Sequence, residues 1–306
     1  MAETIFVYRS ESDPELQSRI FTAPMKIHAD AGAELYIDKL SLRVRMDDYF
    51  GPLEQVMILL HLHLPNWTEK VIIKSRPNDR LFFSAAGYCE EAFVRGYYFG
   101  IDMHFMTAYP NPNRKKGASR TNQIAVDTSQ SFDRFTFTNQ SVPDIHTATS
   151  GDAEDLARFY ATIFPVYPTP ITDPQYLKKM ISGDSLYKFI RREGAIVSAA
   201  CAEINRTYRN AELSDCGTLK DMAGKGFMKA ILSAFMKDLQ EEGIHALYSI
   251  ARSESVSMNA VLKNLGFDYT GTLIQNVCIF SGFEDMNVWS FVTQTTRILN
   301  QSGYLS

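Results

Sequence analysis

The feature that most constrains this chain is an amphipathic helix set between two β-rich stretches. Its apolar residues recur at helical spacing, at Phe227, Met228, Ile231, Leu232, Phe235, Met236 and Leu239. The turn Gly224-Lys225-Gly226 precedes the helix, and Gly243 follows it as a C-cap. We predict strands over Ala211–Thr218 and Ala246–Ala251 on either side. Because a strand–helix–strand crossover joins parallel neighbours, this segment predicts an α/β or mixed α+β fold.

The residues around this segment extend the same architecture. Ser150 and Asp173-Pro174 carry helix-capping chemistry and begin two helices, the second of which runs through Met180. The predicted order from residue 144 onwards is β-α-α-β-β-β-α-β-α-β. Its remaining elements are strands over Asp144–Thr149, Leu186–Ile190, Ala195–Tyr208 and Thr272–Phe280, a hairpin turn at Arg191–Gly194 and a short helix over Met258–Asn264.

A length of 306 residues suits two domains. Residues 110–123 are rich in Pro, Asn, Gly and like charges, so we place a linker there. The predicted domains are 1–125, which includes this linker, and 142–296. The alternative for Arg114-Lys115-Lys116 is a nucleic-acid patch, which the lack of interleaved aromatic residues disfavours.

The two halves share an internal repeat. Leu81-Phe-Phe-Ser-Ala-Ala-Gly matches Ala260-Val-Leu-Lys-Asn-Leu-Gly, which places Gly87 on Gly266. Upstream, the apolar helix Leu53–Leu64 parallels Met228–Leu239. We therefore expect residues 30–109 to reuse the second half of the C-terminal domain as a smaller, degenerate copy. Chance similarity is the alternative, and the shared element order argues against it.

Composition excludes several classes of protein. Lys+Arg 31 against Asp+Glu 35 gives a net charge of −4, so we expect no nucleic-acid or anionic membrane partner. The apolar runs, such as Val56–Leu60, are far shorter than the roughly 18 residues of a membrane span. The N-terminus lacks a signal-peptide pattern, so we expect a cytoplasmic protein.

We expect no metal site. None of the four cysteines (Cys89, Cys201, Cys216 and Cys278) stands in C-x-x-C spacing, so reduced core or strand cysteines are predicted. On a helix, His61 and His63 would face different sides, which disfavours a metal pair.

The Gly224-Lys225-Gly226 turn has the chemistry of an anion cradle. Backbone N–H groups at a helix N-terminus point outward and carry the positive end of the helix dipole. Glycine lets a pyrophosphate approach that backbone closely. The spacing matches neither the Walker motif nor the Rossmann fingerprint. An ordinary turn is the alternative.

This element order, with Gly224-Lys-Gly-Phe-Met and Asn259-Ala-Val-Leu-Lys-Asn-Leu-Gly-Phe, resembles the GCN5-related N-acetyltransferase superfamily. The chain is more specifically similar to the β-lysine N6-acetyltransferases over nearly its whole length. The motifs that carry this similarity are Tyr36-Ile-Asp, Arg43-Val-Arg, Gly96-Tyr-Tyr-Phe-Gly, Asp215-Cys-Gly-Thr-Leu, Ser249-Ile-Ala-Arg-Ser and Gly282-Phe-Glu-Asp-Met-Asn-Val-Trp.

The resemblance implies acetyl-CoA as co-substrate and a product that serves as an osmolyte, with β-lysine supplied by a lysine 2,3-aminomutase. The implied coenzyme A contacts are Cys216, Thr218, Gly224, Lys225, Gly226, Phe227, Met228 and Asn259. Two positions depart from the superfamily pattern: Ala223 replaces an Arg or Gln, and Leu262 replaces a Tyr acid. We therefore expect backbone amides to hold the pyrophosphate, and N–H groups of Cys216–Thr218 to polarise the thioester.

β-Lysine is a net cation, so its pocket needs carboxylates. We expect Asp215, Glu284 and Asp285 to bind it, with Asp215 and Glu284 also catalytic, and Tyr167 in the rigid loop Val166-Tyr-Pro-Thr-Pro-Ile to contact it. Glu284 and Asp285 are placed just past the last predicted strand. The alternatives are a solvated turn or helix cap for this pair, a hydrogen-bonded bulge for Asp215 and a plain connecting loop for Tyr167.

Other readings stay open at this point. The acceptor could be another diamine or a polyamine, or the chain could be a non-catalytic acyl-CoA-binding module; a homodimer is also open. An acyl-Cys216 intermediate is disfavoured because no His lies near it in sequence. Tyr248 and Tyr269 suit core positions. The N-terminal copy has Tyr49-Phe-Gly-Pro-Leu in place of the cradle, so we expect it to shape the acceptor mouth without binding coenzyme A.

Overall fold

The computed structural model describes residues 3–9, 19–21, 29–116, 143–279 and 282–293. These residues form two seven-stranded mixed sheets, one in each half of the chain. The mixed α/β fold predicted from the sequence is confirmed. In the described ranges, every helix is too short or too polar to cross a membrane.

The N-terminal sheet has the order β2-β1-β3-β4-β5-β7-β6. Its elements are β1 (Glu3–Arg9), β2 (Arg19–Phe21), β3 (Ala31–Asp38), β4 (Arg43–Phe50), α1 (Leu53–Leu62), β5 (Lys70–Ser75), α2 (Arg80–Ala85), β6 (Cys89–Tyr98), β7 (Ile101–Ala108) and α3 (Pro112–Lys116).

The C-terminal sheet has the order β13-β14-β12-β11-β10-β9-β8. Its elements are β8 (His146–Thr147), α4 (Ala153–Ile163), α5 (Pro174–Ile181), β9 (Ser185–Arg192), β10 (Ala195–Asn205), β11 (Asn210–Thr218), α6 (Phe227–Glu241), β12 (Ala246–Arg252), α7 (Val256–Asn264), β13 (Asp268–Ile279) and β14 (Gly282–Val292).

Local capping chemistry places the two helices that cover one face of this sheet. Asp173 accepts a hydrogen bond of 2.9 Å from the Gln175 N–H and so caps α5, as predicted. Before α4 the cap is Thr149 rather than Ser150, and it forms a capping box with Asp152.

The two sheets repeat one topology. The strands β1, β3, β4, β5, β7 and β6 occupy the same order as β9, β10, β11, β12, β14 and β13, and each neighbouring pair has the same direction. Gly87 and Gly266 follow α2 and α7 with φ of 90° and 86°, as the repeat requires. The copy is more complete than the half-fold predicted for residues 30–109.

The predicted order from residue 144 misses one strand. The sequence predicts a single final strand near 272–280, whereas the structure has the antiparallel hairpin β13–β14, with β14 inserted between β12 and β13. Glu284 and Asp285 therefore lie within a strand and not in a turn beyond it. The signal that was available is the apolar pair Met286 and Val288, which flanks the polar Asn287 as in a strand.

The halves pack through a shared apolar layer. Val94, Met103 and Phe105 of the N-terminal sheet contact a cluster that includes Val277 and Val288 of the C-terminal sheet. At the edge of this layer, β6 and β13 approach closely at Gly271. A Cβ atom added at Gly271 would lie 2.2 Å from the Glu91 carbonyl oxygen, so only glycine fits.

The basic end of the predicted linker is part of this packing. Arg114 is 5% exposed, donates to the Gln275 carbonyl oxygen at 2.8 and 3.0 Å, and stacks on the Phe283 ring at 3.8 Å. Its guanidinium therefore joins the two halves, and a nucleic-acid role for it is wrong. Residues 117–123 of the linker, and the predicted boundaries at 125, 142 and 296, lie outside the described residues.

Candidate active site

The centre of the C-terminal sheet opens where β11 and β12 diverge. These parallel strands pair over only three positions, Asn210–Glu212 with Ala246–Tyr248, although both continue beyond. The Ser249 hydroxyl donates to the Leu213 carbonyl oxygen at 2.7 Å and marks the point of divergence. Past it, backbone groups that would normally form a ladder face a gap, where an extended ligand can take the place of a strand.

Asp215 lies on a β-bulge at the side of this gap. Ala199 pairs with Gly217 and Cys201 with Ser214, so Asp215 and Cys216 together oppose one residue of β10. Asp215 has a φ of 50°, which is uncommon for a residue with a side chain. The bulge re-aims the carboxylate, so the hydrogen-bonded bulge that was the alternative for Asp215 is compatible with a site role.

The surroundings of Asp215 are tyrosine-rich. The side chain is 6% exposed and accepts a hydrogen bond of 3.1 Å from the Tyr187 hydroxyl. The Tyr167 hydroxyl also donates to it. Burial raises the pKa of Asp215, and the two tyrosine hydrogen bonds lower it only partly. The structure thus brings together two predicted acceptor residues, Tyr167 and Asp215, that are 48 positions apart.

Tyr160 of α4 completes this cluster and was not predicted as a site residue. Its ring is fully buried, and its hydroxyl has no hydrogen-bond partner within the described chain. Burial, and after it the charges of Asp215 and of Cys201 and Cys216, raise the pKa of Tyr160 well above its ordinary value. A buried, neutral donor beside a carboxylate points to a ligand group that would satisfy it.

Peptide N–H groups face the gap from β11. Leu219 donates its N–H to the Val197 carbonyl oxygen on β10 at 2.9 Å. Because successive N–H groups of a strand alternate in direction, the Thr218 N–H points to the other side, towards the gap. The Thr218 hydroxyl is engaged with Ser198 at 2.8 Å, so only the backbone of Thr218 can serve a ligand freely.

Cys216 lies beside this position and stays a thiol. Its Sγ donates to the Ser214 carbonyl oxygen at 3.5 Å. Burial, and then the charges of Asp215 and Glu212, raise its pKa. Thiolate is the nucleophilic form, so an acyl-cysteine step at Cys216 remains disfavoured.

The glycine turn begins α6 with open backbone. Gly224 and Gly226 both have a φ of 77°, and a Cβ atom at either would meet nothing within 4 Å. Gly226 is the N-cap of this 15-residue helix and offers no side-chain cap, so the first-turn N–H groups of Phe227 and Met228 point to solvent. Lys225 is exposed, with its Nζ 3.1 Å from the Met222 Sδ. This arrangement fits a pyrophosphate.

Asn259 has a different task from the predicted one. It is 2% exposed; its amide nitrogen donates to the Arg252 and Ser255 carbonyl oxygens at 2.9 and 2.8 Å. Its amide oxygen accepts from Asn287 at 3.0 Å and Trp289 at 2.8 Å. All four hydrogen-bonding positions of the amide are used inside the domain, so its side chain leaves nothing for coenzyme A.

Glu284 and Asp285 lie on β14, across the gap from Asp215. Glu284 pairs with Arg252 through two bonds of 2.5 and 2.6 Å. Asp285 is 3% exposed and accepts the Gln275 N–H at 2.6 Å. Both carboxylates therefore have protein partners, and the structure does not bring them to the Tyr167–Asp215 cluster.

Two carboxylates near Asp215 were missed by the sequence reasoning. Glu203 of β10 and Glu212 of β11 lie on the same sheet face, and the Ser214 hydroxyl donates to Glu203 at 2.7 Å. The Glu203 side chain keeps contact with solvent, and its pKa is raised by partial desolvation and by the charges of Glu212 and Asp215. The signal was a carboxylate in the otherwise apolar stretch of β10 from Ala199 to Ile204.

A splayed parallel strand pair, a bulged strand beside it and a glycine turn leading into a helix define an acyl-CoA-type acetyltransferase fold. The acetyltransferase (GNAT) family matches residues 153–267, which include all three features. The chain belongs to this family and is an acetyltransferase.

Named relatives cover most of the chain. It is 30% identical over 256 residues to N-acetyltransferase YodP of Bacillus subtilis, spanning 82% of this chain and 93% of the relative. It is 32% identical to a β-lysine N(6)-acetyltransferase of Methanosarcina mazei, over 72% of this chain and 90% of the relative. A protein of the same name from Methanococcus maripaludis is 31% identical, over 72% and 81%.

Proposed function

We propose that this enzyme transfers the acetyl group of acetyl-CoA to the ε-amine of β-lysine, and that the product N6-acetyl-β-lysine is an osmolyte. The observation that carries the proposal is a group of three carboxylates where the β11–β12 pairing ends: Asp215 is buried on the bulge, and Glu203 pairs with Glu212 across the neighbouring strands. The names of the relatives from the two methanogens support the choice of acceptor.

Acetyl-CoA fits the open side of the gap. Gly224 and Gly226 would admit its pyrophosphate, and the first-turn N–H groups of α6 would bind it, as anions bind at helix N-termini. Its pantetheine would extend along β11, where the Thr218 N–H is a donor. In this arrangement Lys225 adds a positive charge at the phosphate end.

Asp215 would bind the acceptor ammonium. A charge-assisted hydrogen bond of this type contributes about 1.5–3 kcal/mol. An ε-ammonium has a pKa near ~10.4 in water, so it must lose a proton before it reacts. Because burial raises the pKa of Asp215, this carboxylate takes up a proton more readily than an exposed one and serves as the general base.

The transfer itself needs few groups. The neutral amine nitrogen bonds to the acetyl carbon, the carbon–sulfur bond breaks, and the sulfur leaves as coenzyme A thiolate. The proton lost by the nitrogen passes to Asp215 and from there to solvent. Leu262, at the position of the superfamily acid, is a fully buried apolar residue with no proton to donate, so the thiolate would leave without a proton from that residue.

The charge balance suits the acceptor. β-Lysine carries two ammonium groups and one carboxylate, and acetylation removes one positive charge. The neutral product binds an anionic site less tightly than the cationic substrate and leaves it more readily. A net-neutral solute also perturbs the ionic balance least when it accumulates. A cytoplasmic location is part of the same proposal.

The test is release of free thiol from acetyl-CoA across a panel of amines. We expect the highest kcat/KM for β-lysine, roughly tenfold or more above lysine and spermidine, as the names of the methanogen relatives suggest. Preference for spermidine would make the enzyme a polyamine acetyltransferase. Absence of thiol release with every amine would favour a non-catalytic acyl-CoA module.

A further inference from the structure

The carboxylate cluster faces the N-terminal half. Asn210, where β11 begins, donates its side-chain amide to the Tyr97 carbonyl oxygen at 2.9 Å. The Tyr97 and Tyr248 rings lie 5.7 Å apart across the same boundary. These contacts join β6 to β11 and β12, and the Tyr208 hydroxyl, from the turn between β10 and β11, donates to Asp48 of β4 at 2.5 Å.

The N-terminal side of this boundary carries a bulge like that of β11. Glu34 pairs with Asp48 and Leu35 with Met46, so Asp47 is the extra residue. Arg45 donates to Asp47 through Nε at 2.5 Å and Nη2 at 2.9 Å.

Two cations share this one carboxylate. The Lys74 Nζ lies 2.9 Å from Asp47, and the Arg45 guanidinium stacks on the Tyr36 ring at 4.8 Å. Glu34 of β3 also acts on Asp47, Lys74 and Arg45, so the group holds two cations, Arg45 and Lys74, and two carboxylates, Asp47 and Glu34. Within the described contacts, Asp47 occupies the Nε and Nη2 atoms of Arg45 and leaves the Nη1 atom open.

Electrostatic coupling spans the boundary. Burial lowers the pKa of Arg45, but Asp47, and more weakly Tyr36 and Glu212, raise it to a net increase. Arg45 in turn acts on Glu203. Contacts also join the two groups: the Lys74 Nζ lies 3.4 Å from the Tyr97 hydroxyl, the Tyr97 and Tyr248 rings are 5.7 Å apart, and Tyr248 pairs with Glu212 in the sheet.

Two tyrosines of the C-terminal half lie near the carboxylates. The Tyr160 hydroxyl is fully buried and unpartnered beside Asp215, within the part of the chain that is described. Tyr176 of α5 is coupled electrostatically to Glu203 and Asp215 and, more weakly, to Tyr36. Because the Arg45 guanidinium stacks on the Tyr36 ring, Tyr176 couples the carboxylates of one half to the Tyr36–Arg45 pair of the other.

We infer that Arg45, from the N-terminal half, binds the carboxylate of the acceptor while Asp215 and Glu203 of the C-terminal half bind its ammonium groups. The inference rests on the proposed function and goes beyond it, because it makes the acceptor site a product of both halves. A guanidinium matches a carboxylate through parallel N–H donors, which a diamine or polyamine cannot use. Arg45 would therefore select amino acids over plain diamines.

The experiment compares β-lysine with 1,4-diaminopentane, which is the same diamine without the carboxylate. We expect Arg45→Gln to lower kcat/KM for β-lysine by roughly 10–100-fold, as for loss of one charge-assisted contact. Turnover of 1,4-diaminopentane should change by less than about threefold, because it makes no carboxylate contact. Arg45→Lys keeps the charge but loses the parallel N–H donors, so its kcat/KM for β-lysine should fall between those of the wild type and Arg45→Gln.

The matched control is Arg95→Gln, since Arg95 also pairs across the halves, with Asp268, but on the far edge of the sheets. This variant should leave kcat/KM for both substrates unchanged. If Arg45→Gln lowered kcat/KM equally for both substrates, the role of Arg45 would be structural. If it lowered kcat/KM for neither, Arg45 would lie outside the site. Either result would overturn this inference and leave the proposed function standing. A wild-type enzyme that does not acetylate β-lysine would instead overturn the proposed function itself, and the inference with it.

Discussion

Tyr208 of the C-terminal half donates its hydroxyl to Asp48 of the N-terminal half at 2.5 Å. Asp48 also binds Arg76 at 2.8 Å. Asp48 follows the bulge of β4, just past Met46, where the pairing of β4 with β5 ends. This is the counterpart of the position past Glu212 where β11 and β12 separate in the C-terminal sheet. Side chains of the protein itself therefore fill the counterpart of the coenzyme A gap.

We therefore expect one coenzyme A molecule per chain. The N-terminal copy also begins α1 after Pro52, which has no N–H to offer an anion. Isothermal titration calorimetry of the wild type should give a stoichiometry of one. A stoichiometry of two would show that coenzyme A also binds between β4 and β5 of the N-terminal sheet.

Gly226→Val should weaken acetyl-CoA binding by tenfold or more, because a side chain in the cradle both blocks the pyrophosphate and disfavours the φ of 77°. The matched control is Gly243→Val at the other end of α6, where φ is 75° and the space is equally open. Both variants should lose about 1–3 kcal/mol of stability from backbone strain. Equal acetyl-CoA affinity in the two folded variants would contradict a cradle at Gly226.

Asp215→Asn should raise KM for β-lysine by roughly 10–100-fold and also lower kcat, because it removes both the charge that binds the ammonium and the proposed general base; acetyl-CoA binding should stay normal, since the shape is kept. Glu284→Gln is the informative comparison. Since Glu284 is paired with Arg252, its substitution should change KM by less than about threefold. A larger effect in Glu284→Gln than in Asp215→Asn would return the acceptor site to β14, where the sequence analysis placed it.

Stability of the substrate-free enzyme should depend on pH through Asp215. The pKa of Asp215 is raised in the folded state, chiefly by burial, with Tyr167, Tyr187 and Glu212 as the groups that face it. The folded protein then holds a proton that the unfolded chain has released, so this contribution falls as pH rises from about 4 towards neutrality. Thermal melts from pH 4.5 to 7.5 should show a shallower decline for Asp215→Asn. Identical slopes would mean that Asp215 titrates normally.

Gly271→Ala tests the contact between the halves. The added Cβ would lie 2.2 Å from the Glu91 carbonyl oxygen, and φ at this residue is 148°. We expect a loss of at least about 2 kcal/mol, from strain and displaced packing. Gly282→Ala, where a Cβ would meet nothing within 4 Å, should be nearly neutral. Equal melting temperatures for the two variants would show that β6 and β13 separate at little cost.

The sequence analysis predicted the fold where the pattern was local. The apolar period of α6, the glycines around it and Asp173 before α5 each specify an element on their own, and each is as predicted. The hairpin β13–β14 was missed because its partner strand, β12, lies about 30 positions earlier in the chain. Pairing over that distance leaves only a weak alternation in the sequence.

The site was only partly predictable for a similar reason. Asp215 and Tyr167 were identified by residue type and loop rigidity, and their hydrogen bond is a consequence of the α4–α5 loop folding onto the bulge. Glu203 and Arg45, which we propose for the acceptor site, gave no sequence signal as a pair because they belong to different sheets, far apart in the chain. The sequence analysis treated Glu284 and Asp285 as carboxylates available to a substrate, because no local sequence pattern indicates a partner such as Arg252.

The apolar layer that Val94, Phe105, Val277 and Val288 share also governs how a chain like this one can change over time. Substitutions that abolish chemistry in the N-terminal copy leave the layer intact. Deletion of the copy would instead expose the layer to water and invite aggregation. Loss of activity in the N-terminal copy and deletion of that copy therefore have unequal costs. If the copy binds no coenzyme A, as we expect, it can still be retained because its apolar surface completes the core of the C-terminal half.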